Sequence, residues 1–254
     1  MSPTIGVLDS GVGGLTVLAA LAERLPSVST VYLGDTARNP YGEKTPAEIT
    51  AMARDGLRFL RAAGATVVVV ACNTITFAAL PVLAREADFP CIGMPRDIAW
   101  PSDARHVAVA ATSATIATHA HREAIRRTHP HLQVTETACE GLAAAIEQGD
   151  TAAAAARIQA AVRCWTDVDT GLWACTHYPL VADLWRAAMP SCRWLDPATA
   201  VADEVARRLT DVPTGRGTVR LCFTDERAAA GLRRTAYAAH PWEVVDISEK
   251  RGGR

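Results

Sequence analysis

The chain alternates short apolar runs with longer segments rich in alanine, leucine and arginine. Strand-sized apolar runs that lead into helix-forming stretches are typical of an α/β fold, in which helices flank a mainly parallel sheet. At 254 residues the chain is long enough for two domains of ordinary size. We therefore expect two pseudo-symmetric α/β domains, each with a mainly parallel sheet flanked by helices, and a ligand site in the cleft between them.

Four of the apolar runs, at residues 5–8, 66–70, 106–110 and 170–173, end in small polar or thiol residues. In open α/β sheets the carboxyl ends of the strands form the ligand site, because free backbone N–H groups of the following helices point there. The four ends could therefore surround one anionic ligand. The residues that follow the runs are Asp9-Ser10-Gly11, Ala71-Cys72-Asn73-Thr74, Ala111-Thr112-Ser113-Ala114-Thr115 and Ala174-Cys175-Thr176-His177.

A proline-rich stretch marks the expected domain boundary. Residues 90–101 lack periodicity, so we expect a loop there. The predicted first domain comprises residues 1–94 together with about 209–254, because the C-terminal segment contains strand-like and helical stretches that can pack back on it. The predicted second domain comprises residues 95–208.

The composition argues against several classes of partner. A net charge of -1 leaves no basic excess to attract nucleic acid or an anionic membrane surface. The longest apolar runs fall well short of the roughly 20 residues that span a bilayer. The N-terminus lacks the positive residues of a secretory signal, and Asp9 interrupts its apolar run, so the cytoplasm is the expected location. A small molecule is therefore the expected partner.

The sequence also predicts that no cofactor is needed. The seven cysteines are expected to be free thiols, and no Cys-x-x-Cys or His-x-x-x-His cluster offers metal-ligand spacing. The turn Asp9-Ser10-Gly11-Val12-Gly13-Gly14 lacks the register of a dinucleotide site, and on its own it is a turn in which Asp9 or Ser10 caps a helix. The only lysines, Lys44 and Lys250, stand in surface-like segments, which argues against a pyridoxal-phosphate site.

Two cysteines stand where acid–base chemistry would need them. Cys72 and Cys175 lie about one domain length apart, each after an alanine at the end of an apolar run, which suggests two equivalent halves. A helix N-terminus lowers the pKa of a thiol, and we expect Asn73 and Thr74 to cap the helix after Cys72. His177 gives Cys175 an ionisable neighbour. The alternative for each cysteine is an inert core thiol, the commoner role of a buried cysteine.

Four ordered motifs resemble those of the glutamate racemase family, within the wider aspartate/glutamate racemase superfamily. The resemblance covers roughly residues 5–210 and implies an isomerase that interconverts L- and D-glutamate without a cofactor. It further implies a role in peptidoglycan and cell-wall biogenesis, and a homodimer is compatible with it. The motifs are Val7-Leu8-Asp9-Ser10-Gly11-Val12-Gly13-Gly14-Leu15, Asp35-Thr36-Ala37-Arg38 with Pro40-Tyr41-Gly42, Ala71-Cys72-Asn73-Thr74, and Cys175-Thr176-His177-Tyr178-Pro179-Leu180.

The resemblance implies a role for each site residue. Cys72 and Cys175 would be the bases on opposite faces of the substrate, so that one removes the Cα proton and the other returns one. Asp9 and His177 would orient or polarise the cysteines and the substrate ammonium group. Glu147 would assist near the second cysteine, although composition alone makes it a solvent-facing charge. The residues implied to contact the substrate are Ser10, Tyr41, Gly42, Asn73, Thr74, Thr112, Thr115 and Thr176, besides Asp9 and His177.

Several positions depart from the family pattern. Thr118 and His121 replace a usual Ser and Tyr, Glu140 replaces a Pro, Ala174 replaces a Gly, and residues 94–100 keep little of the usual sequence. If Thr118, His121 and the 94–100 loop line the pocket, the substrate could be aspartate or another amino acid of a specialised pathway. The alternative from another class is a two-lobed paralogue that binds a ligand or partner without catalysis.

Overall fold

The computed structural model of the chain describes residues 3–209 and 211–247. Lys250 and the last part of the predicted first domain lie outside the described residues. The strands in the described ranges are β1 (Thr4–Asp9), β2 (Ser29–Gly34), β3 (Val67–Val70), β4 (Cys91–Gly93), β5 (His106–Ala111), β6 (Gln133–Ala138), β7 (Thr170–Ala174), β8 (Arg193–Leu195), β9 (Val219–Phe223) and β10 (Trp242–Val244).

Helices connect most consecutive strands. None of those in the described part of the chain is both long and apolar enough to cross a lipid bilayer. A short 3₁₀ helix (Tyr178–Val181) follows β7. The α-helices are α1 (Leu15–Arg24), α2 (Pro46–Ala62), α3 (Asn73–Ala78), α4 (Leu80–Glu86), α5 (Ser113–Ile116), α6 (Ala120–Thr128), α7 (Leu142–Glu147), α8 (Thr151–Val162), α9 (Ala182–Ala188), α10 (Ala198–Arg208) and α11 (Ala228–Leu232).

The strands form two separate sheets. Six strands pair in the order β10-β9-β2-β1-β3-β4, and four pair in the order β6-β5-β7-β8. Every pairing is parallel. The predicted α/β fold with two mainly parallel sheets is therefore confirmed.

The first sheet is buried on both faces, because alternate side chains of its central strands enter different cores. On β1, Ile5 and Val7 pack in one core and Leu8 in the other. Helices α1 and α10 contribute to the first of these cores, whereas α2, α3 and α4 contribute to the second. The four consecutive valines of β3 divide between the two cores in the same way, which explains why this strand is apolar throughout.

The second sheet has the same layered construction. On β5, Ala108 and Ala110 face a core that includes α7, α8 and α9, while Val107 and Val109 face a core that includes α6. The central strands β5 and β7 are fully buried, whereas the edge strand β6 is half-exposed. The two sheets thus repeat one architecture around separate cores.

The position of the domain boundary stays a prediction. Strands β9 and β10 join the first sheet, and the second sheet is built within residues 106–195. Helix α10 belongs by sequence to the predicted second domain, yet it packs with α1 in a core of the first sheet. The stretch 90–101, which we expected to be a loop, contains strand β4, because the segment at Cys91–Gly93 pairs with β3.

Candidate active site

A cavity lies where the two sheets meet, at the carboxyl ends of β1, β3, β5 and β7. It contains about 540 Å³ of empty space, including the part open to solvent. Its lining includes no lysine or arginine from the described residues, so an anion there would have to be bound by neutral donors and by His177. The lining residues are Ser10, Asn39, Pro40, Tyr41, Gly42, Glu43, Cys72, Asn73, Thr74, Thr112, Ser113, Cys139, Glu140, Gly141, Ala143, Ala144, Cys175, Thr176 and His177.

Cys72 enters the cavity from the first sheet. It is buried at the N-terminus of α3, and its Sγ lies 3.8 Å from Ser10 Oγ. Burial, followed by the negative charge of Asp9, raises the pKa of Cys72 to about 12. The Cys72 side chain is therefore a protonated thiol at neutral pH.

The cap of α3 differs from our expectation. Cys72 itself is the N-cap residue and makes no side-chain capping hydrogen bond, while Asn73 and Thr74 are the first residues inside the helix. Their side chains are free for other contacts because they lie past the cap position. Likewise Gly14, not Asp9 or Ser10, occupies the N-cap of α1.

Cys175 enters the cavity from the second sheet and has a charged neighbour. Its Sγ lies 3.7 Å from His177 Nδ1, and His177 Nε2 lies 2.5 Å from Glu147 Oε1. Burial lowers the pKa of His177, but its hydrogen bonds with Cys175 and Glu147 outweigh burial and raise that pKa well above its ordinary value. His177 is therefore an imidazolium that places a positive charge beside the Cys175 sulfur.

Glu147 does not face solvent, although sequence composition alone predicted a solvent-facing charge there. Its carboxylate is mostly buried, with a side-chain exposure of 12%. Besides His177, Glu147 Oε1 accepts hydrogen bonds from the Val12 N–H at 2.7 Å and from Asn39 Nδ2 at 3.4 Å. The side chain turns inward because these donors, contributed by the first sheet, satisfy its charge.

The glycine-rich turn after β1 makes this approach sterically feasible. A Cβ atom at Gly11 would lie 1.7 Å from Glu147 Oε1, and one at Gly13 would lie 2.5 Å from His177 Nδ1. Both distances are shorter than any van der Waals contact, so a side chain at either position would displace the Glu147–His177 pair. The turn provides space for side chains of the second sheet.

Asp9 connects the two sheets from a fully buried position. Its Oδ2 accepts a hydrogen bond from the Gly11 N–H at 2.9 Å, and Thr176 Oγ1 donates to its Oδ1 at 3.2 Å. The carboxylate thus holds the residue next to Cys175 while its charge acts on Cys72. Asp9 is a neighbour of both thiol sites.

The Asn73 amide is an unsatisfied group at the cavity surface. Asn73 is 2% exposed, and neither Oδ1 nor Nδ2 has a hydrogen-bond partner in the described protein. A buried amide without partners costs free energy, and such a group commonly binds a ligand or an ordered water. Asn73 therefore offers one donor and one acceptor to a molecule in the cavity.

Three threonine hydroxyls, one from α3 of the first sheet and two from the segment after β5 of the second, join the two sheets. Thr74 Oγ1 lies 2.8 Å from Thr112 Oγ1 and 3.4 Å from Thr115 Oγ1. Thr112 caps α5, because its hydroxyl accepts from the Thr115 N–H. Thr115 is buried behind Thr74 and Thr112, so the latter two present their hydroxyls to the cavity.

The loop that holds Tyr41 and Gly42 forms one edge of the cavity. The Tyr41 hydroxyl donates to Asp35 and does not point to the thiols. Gly42 lies against Thr112, and its carbonyl accepts from the Ala114 N–H at 3.1 Å. This loop of the first sheet is thereby fixed to α5 of the second.

The expected specificity wall lies elsewhere. Thr118 and His121 do not belong to the cavity lining within the described chain: Thr118 Oγ1 donates to the Thr115 carbonyl, and the buried His121 ring packs edge-on against Phe77. His121 Nδ1 contacts the Arg96 carbonyl at 2.8 Å. His121 holds α6 against the 94–100 segment and Thr118 bonds within its own turn, so their differences from the family do not reach the cavity.

Sequence reasoning missed some lining residues. Asn39 and Glu43 lie in or beside the quoted loop, and Cys139 follows the edge strand β6 as the other site residues follow central strands. That position at a strand end was a usable signal for Cys139 and Glu140. Among the described residues, no group of three or more His, Cys, Asp or Glu side chains is placed to hold a metal ion.

The chain is similar in sequence and in fold to known proteins. A family model described as Asp/Glu/Hydantoin racemase matches residues 5–205. The chain is 37% identical over 245 residues to a glutamate racemase of Gloeobacter violaceus, covering 94% of this chain and 91% of the relative. It resembles the crystal structure of the glutamate racemase isoform RacE1 from Bacillus anthracis, with a TM-score of 0.85, 27% identity and coverage of 96% of this chain and 97% of that one.

A further solved structure is a glutamate racemase from Francisella tularensis in complex with D-glutamate. Its TM-score to this chain is 0.85 at 26% identity, and the match covers 97% of this chain and 98% of that one.

Proposed function

The chain belongs to the Asp/Glu/hydantoin racemase family, and on that basis we propose that it is a glutamate racemase that works without a cofactor through two opposed cysteine bases. It is an amino-acid racemase, as its relatives along nearly the whole chain are. Glutamate is the substrate that the names of those relatives support, and one of the similar structures holds D-glutamate.

The observation that carries the mechanism is that Cys72 and Cys175 come from different sheets into one cavity. Racemisation requires that the Cα–H bond break on one face of the substrate and re-form on the other. A thiolate on one side takes the proton and becomes a thiol. The thiol on the other side then gives its proton to the carbanion and becomes the thiolate, so no net proton is consumed.

The resting protonation of Cys72 follows from its surroundings. The Cys72 thiol, with its pKa near 12, is the proton donor. The His177 imidazolium, held by Glu147, supports negative charge on Cys175. One enantiomer reacts with this form, and the other reacts with the form in which Cys72 is the thiolate. Asp9 disfavours the second form by its charge, so the substrate ammonium group would have to offset that charge.

The backbone groups of the substrate would bind between the two sheets, at residues contributed by both. The free amide of Asn73 can donate to a carboxylate and accept from an ammonium group. Thr74 and Thr112 present hydroxyls to the cavity, and Thr176 lines it with its own hydroxyl donated to Asp9. We propose that these residues, with Ser10, Tyr41 and Gly42, hold the amino acid, and that Thr115 supports Thr112 and Thr74 from behind.

Two lining carboxylates favour a second candidate substrate class. Glu43 and Glu140 are exposed residues of the cavity lining, and their charges would weakly repel a substrate side chain with its own carboxylate. This observation favours an uncharged amino acid of a specialised pathway as the alternative to glutamate. Aspartate, which also carries a side-chain carboxylate, is disfavoured by the same reasoning.

The wider biological role is also a proposal based on the family resemblance. We propose that the enzyme acts in the cytoplasm, contributes D-glutamate to peptidoglycan and cell-wall biogenesis, and assembles as a homodimer. Rescue of a D-glutamate auxotroph tests the role, and light scattering tests the assembly.

A direct experiment separates the candidates. L- and D-glutamate, L- and D-aspartate and a set of uncharged amino acids are each incubated with the enzyme in deuterium oxide, and optical rotation and Cα deuterium content are followed. A glutamate racemase inverts and exchanges glutamate at the highest kcat/KM. A higher kcat/KM for another amino acid would replace glutamate as the substrate, and absence of exchange with any amino acid would refute the proposed reaction.

A further inference from the structure

Tyr178 is a buried residue beside Cys175 to which the proposed mechanism gives no role. It is fully buried, and its backbone N–H donates to the Cys175 carbonyl at 3.1 Å. Its ring packs on Trp185 with a centroid distance of 5.6 Å. Its hydroxyl makes no hydrogen bond of ordinary geometry with the described protein. A buried hydroxyl without a partner is costly, so this hydroxyl is suited to an acceptor that forms at another stage.

Two cysteines are the neighbours of this hydroxyl. Tyr178 packs in one apolar cluster with Cys139 and Cys175, and both of these cysteines line the cavity. Burial raises the pKa of Tyr178 well above its ordinary value, and the adjacent Cys139 and Cys175 sulfurs raise it further. The phenol therefore keeps its proton and acts as a hydrogen-bond donor.

The two sulfurs differ as acceptors. Burial raises the pKa of Cys139 to about 12, and its Sγ lies 3.8 Å from the Thr137 carbonyl, to which it can donate. Cys139 thus stays a thiol, and a thiol sulfur is a weak acceptor. Cys175 alternates between thiol and thiolate in the proposed reaction, and a charged acceptor forms a hydrogen bond roughly twice as strong as a neutral one.

We propose, on the premise of the two-cysteine reaction, that Tyr178 is a positioning residue whose hydroxyl donates a hydrogen bond to the Cys175 sulfur when that sulfur is a thiolate. With Cys175 protonated, the hydroxyl faces Cys139 instead. The Cys175 thiolate then has two donors, His177 Nδ1 from the cavity side and Tyr178 from the apolar core. This arrangement stabilises the Cys175 thiolate and fixes the direction of its lone pairs.

The charged and titratable neighbours of Cys175 define a suitable test. His177 contacts it, Glu147 acts through His177, and Cys72 and Cys139 interact with it electrostatically. Changing any of these removes a charge or a proton-transfer group. Tyr178→Phe removes a neutral donor and leaves the ring on Trp185 in place.

The experiment measures kcat/KM against pH for wild type and Tyr178→Phe with both enantiomers of glutamate. Enantiomers have equal free energies, so kcat/KM must be equal in the two directions, and a departure would expose an assay error. We expect the variant to lose about tenfold in kcat/KM near neutral pH, since a factor of ten corresponds to 1.4 kcal/mol. We also expect the acid limb of its profile to move to higher pH, because the Cys175 thiolate has lost a donor.

Two controls distinguish this role from simple packing. Tyr237→Phe makes the same change at a half-buried tyrosine outside the cavity lining and should leave the profile unchanged. Cys139→Ala removes the competing sulfur. In the wild-type background Cys139→Ala should shift the pH of the acid limb. In the Tyr178→Phe background it should cause no such shift, because the effect passes through the hydroxyl.

Each outcome has one meaning. If Tyr178→Phe keeps its melting temperature and its acid limb does not shift, the proposed role of Tyr178 is overturned. Racemisation by the wild type would still support the proposed function. If Tyr178→Phe does not fold, a shift in the alkylation rate of Cys175 against pH in Cys139→Ala supports the proposal, and no shift overturns it. A wild type that does not racemise glutamate or any other amino acid instead refutes the proposed function.

Discussion

Glu147 Oε1 lies 2.5 Å from His177 Nε2, and the same oxygen accepts a hydrogen bond from the Val12 N–H in the glycine-rich turn of the first sheet. The pair therefore links the second sheet to the first beside the cavity. Because the carboxylate holds Nε2, the opposite nitrogen Nδ1 is directed to the Cys175 sulfur. Glu147 thus supplies one of the contacts between the sheets and also holds the charge beside the thiol.

Replacing the Glu147 carboxylate by an amide should separate the effect of its contact with His177 from the effect of its charge. We expect Glu147→Gln to lower kcat by about 100-fold, within the range of a lost acid–base contribution, with little change in KM. The amide can keep the contact with His177 but cannot support its positive charge. Initial rates of racemisation in both directions measure the effect. A variant with wild-type kcat would show that the charge is not used.

The same substitution should change how stability depends on pH. The pKa of His177 is raised in the folded protein, so its charge stabilises the fold below its unfolded pKa of about 6.5, and that contribution is lost as the pH rises through the folded-state pKa. Denaturation should show a larger loss for Glu147→Gln in mildly acidic than in alkaline solution. The exposed Glu23→Gln serves as the control and should show no such trend.

The glycine-rich turn gives a steric prediction. Gly13→Ala would place a Cβ 2.5 Å from His177 Nδ1, so we expect kcat to fall at least tenfold, since the imidazole must move away from Cys175. Gly64→Ala is the matched control: no atom lies near its Cβ, but its φ of +94° strains an alanine. The control should lower the melting temperature and leave kcat unchanged. Wild-type kcat in Gly13→Ala would contradict the role of the turn.

Substrate preference should follow the cavity lining and not the divergent residues outside it. We expect Glu140→Gln to raise kcat/KM for glutamate about threefold relative to an uncharged amino acid, because a lining carboxylate no longer repels the substrate side chain. The double variant Thr118→Ser, His121→Tyr should keep the wild-type order of substrates, as neither side chain lines the cavity. A changed order in the double variant, or no rise for glutamate in Glu140→Gln, would contradict this assignment of the wall.

Catalysis should need no added group. The chemistry of the proposed reaction is a proton exchange between two thiols and the substrate, so we expect activity to survive dialysis against a chelator and treatment with a carbonyl reagent. Racemisation rates before and after each treatment test this. Loss of activity on chelation, restored by one metal ion, would show that a metal takes part.

Most of the fold and much of the site could be predicted from local patterns. The strand ends at Cys72 and Cys175 stood out because apolar runs met small polar residues, and such ends converge in parallel sheets. The inward turn of Glu147 could not be predicted, because it depends on the Val12 and Asn39 donors of a distant segment.

The role of Gly11 and Gly13 was hidden for the same reason. These positions must lack a side chain because Glu147 and His177, more than one hundred residues away in sequence, occupy the space beside them. No local sequence signal shows this requirement. Thr118 and His121 were predicted to line the pocket but do not. A departure from a family pattern does not reveal whether a residue reaches the cavity. The burial of His121 against Phe77 settled its position.

The most direct test of the central claim compares Cys72→Ser and Cys175→Ser with wild type. Each variant keeps the cavity almost unchanged in shape but replaces one base by a hydroxyl of much higher pKa. The two-base account predicts that each single change lowers racemisation by at least about 1,000-fold in both directions, while calorimetry still detects glutamate binding. Near-normal turnover in both directions by either variant would contradict the assignment of Cys72 and Cys175 as the opposed bases.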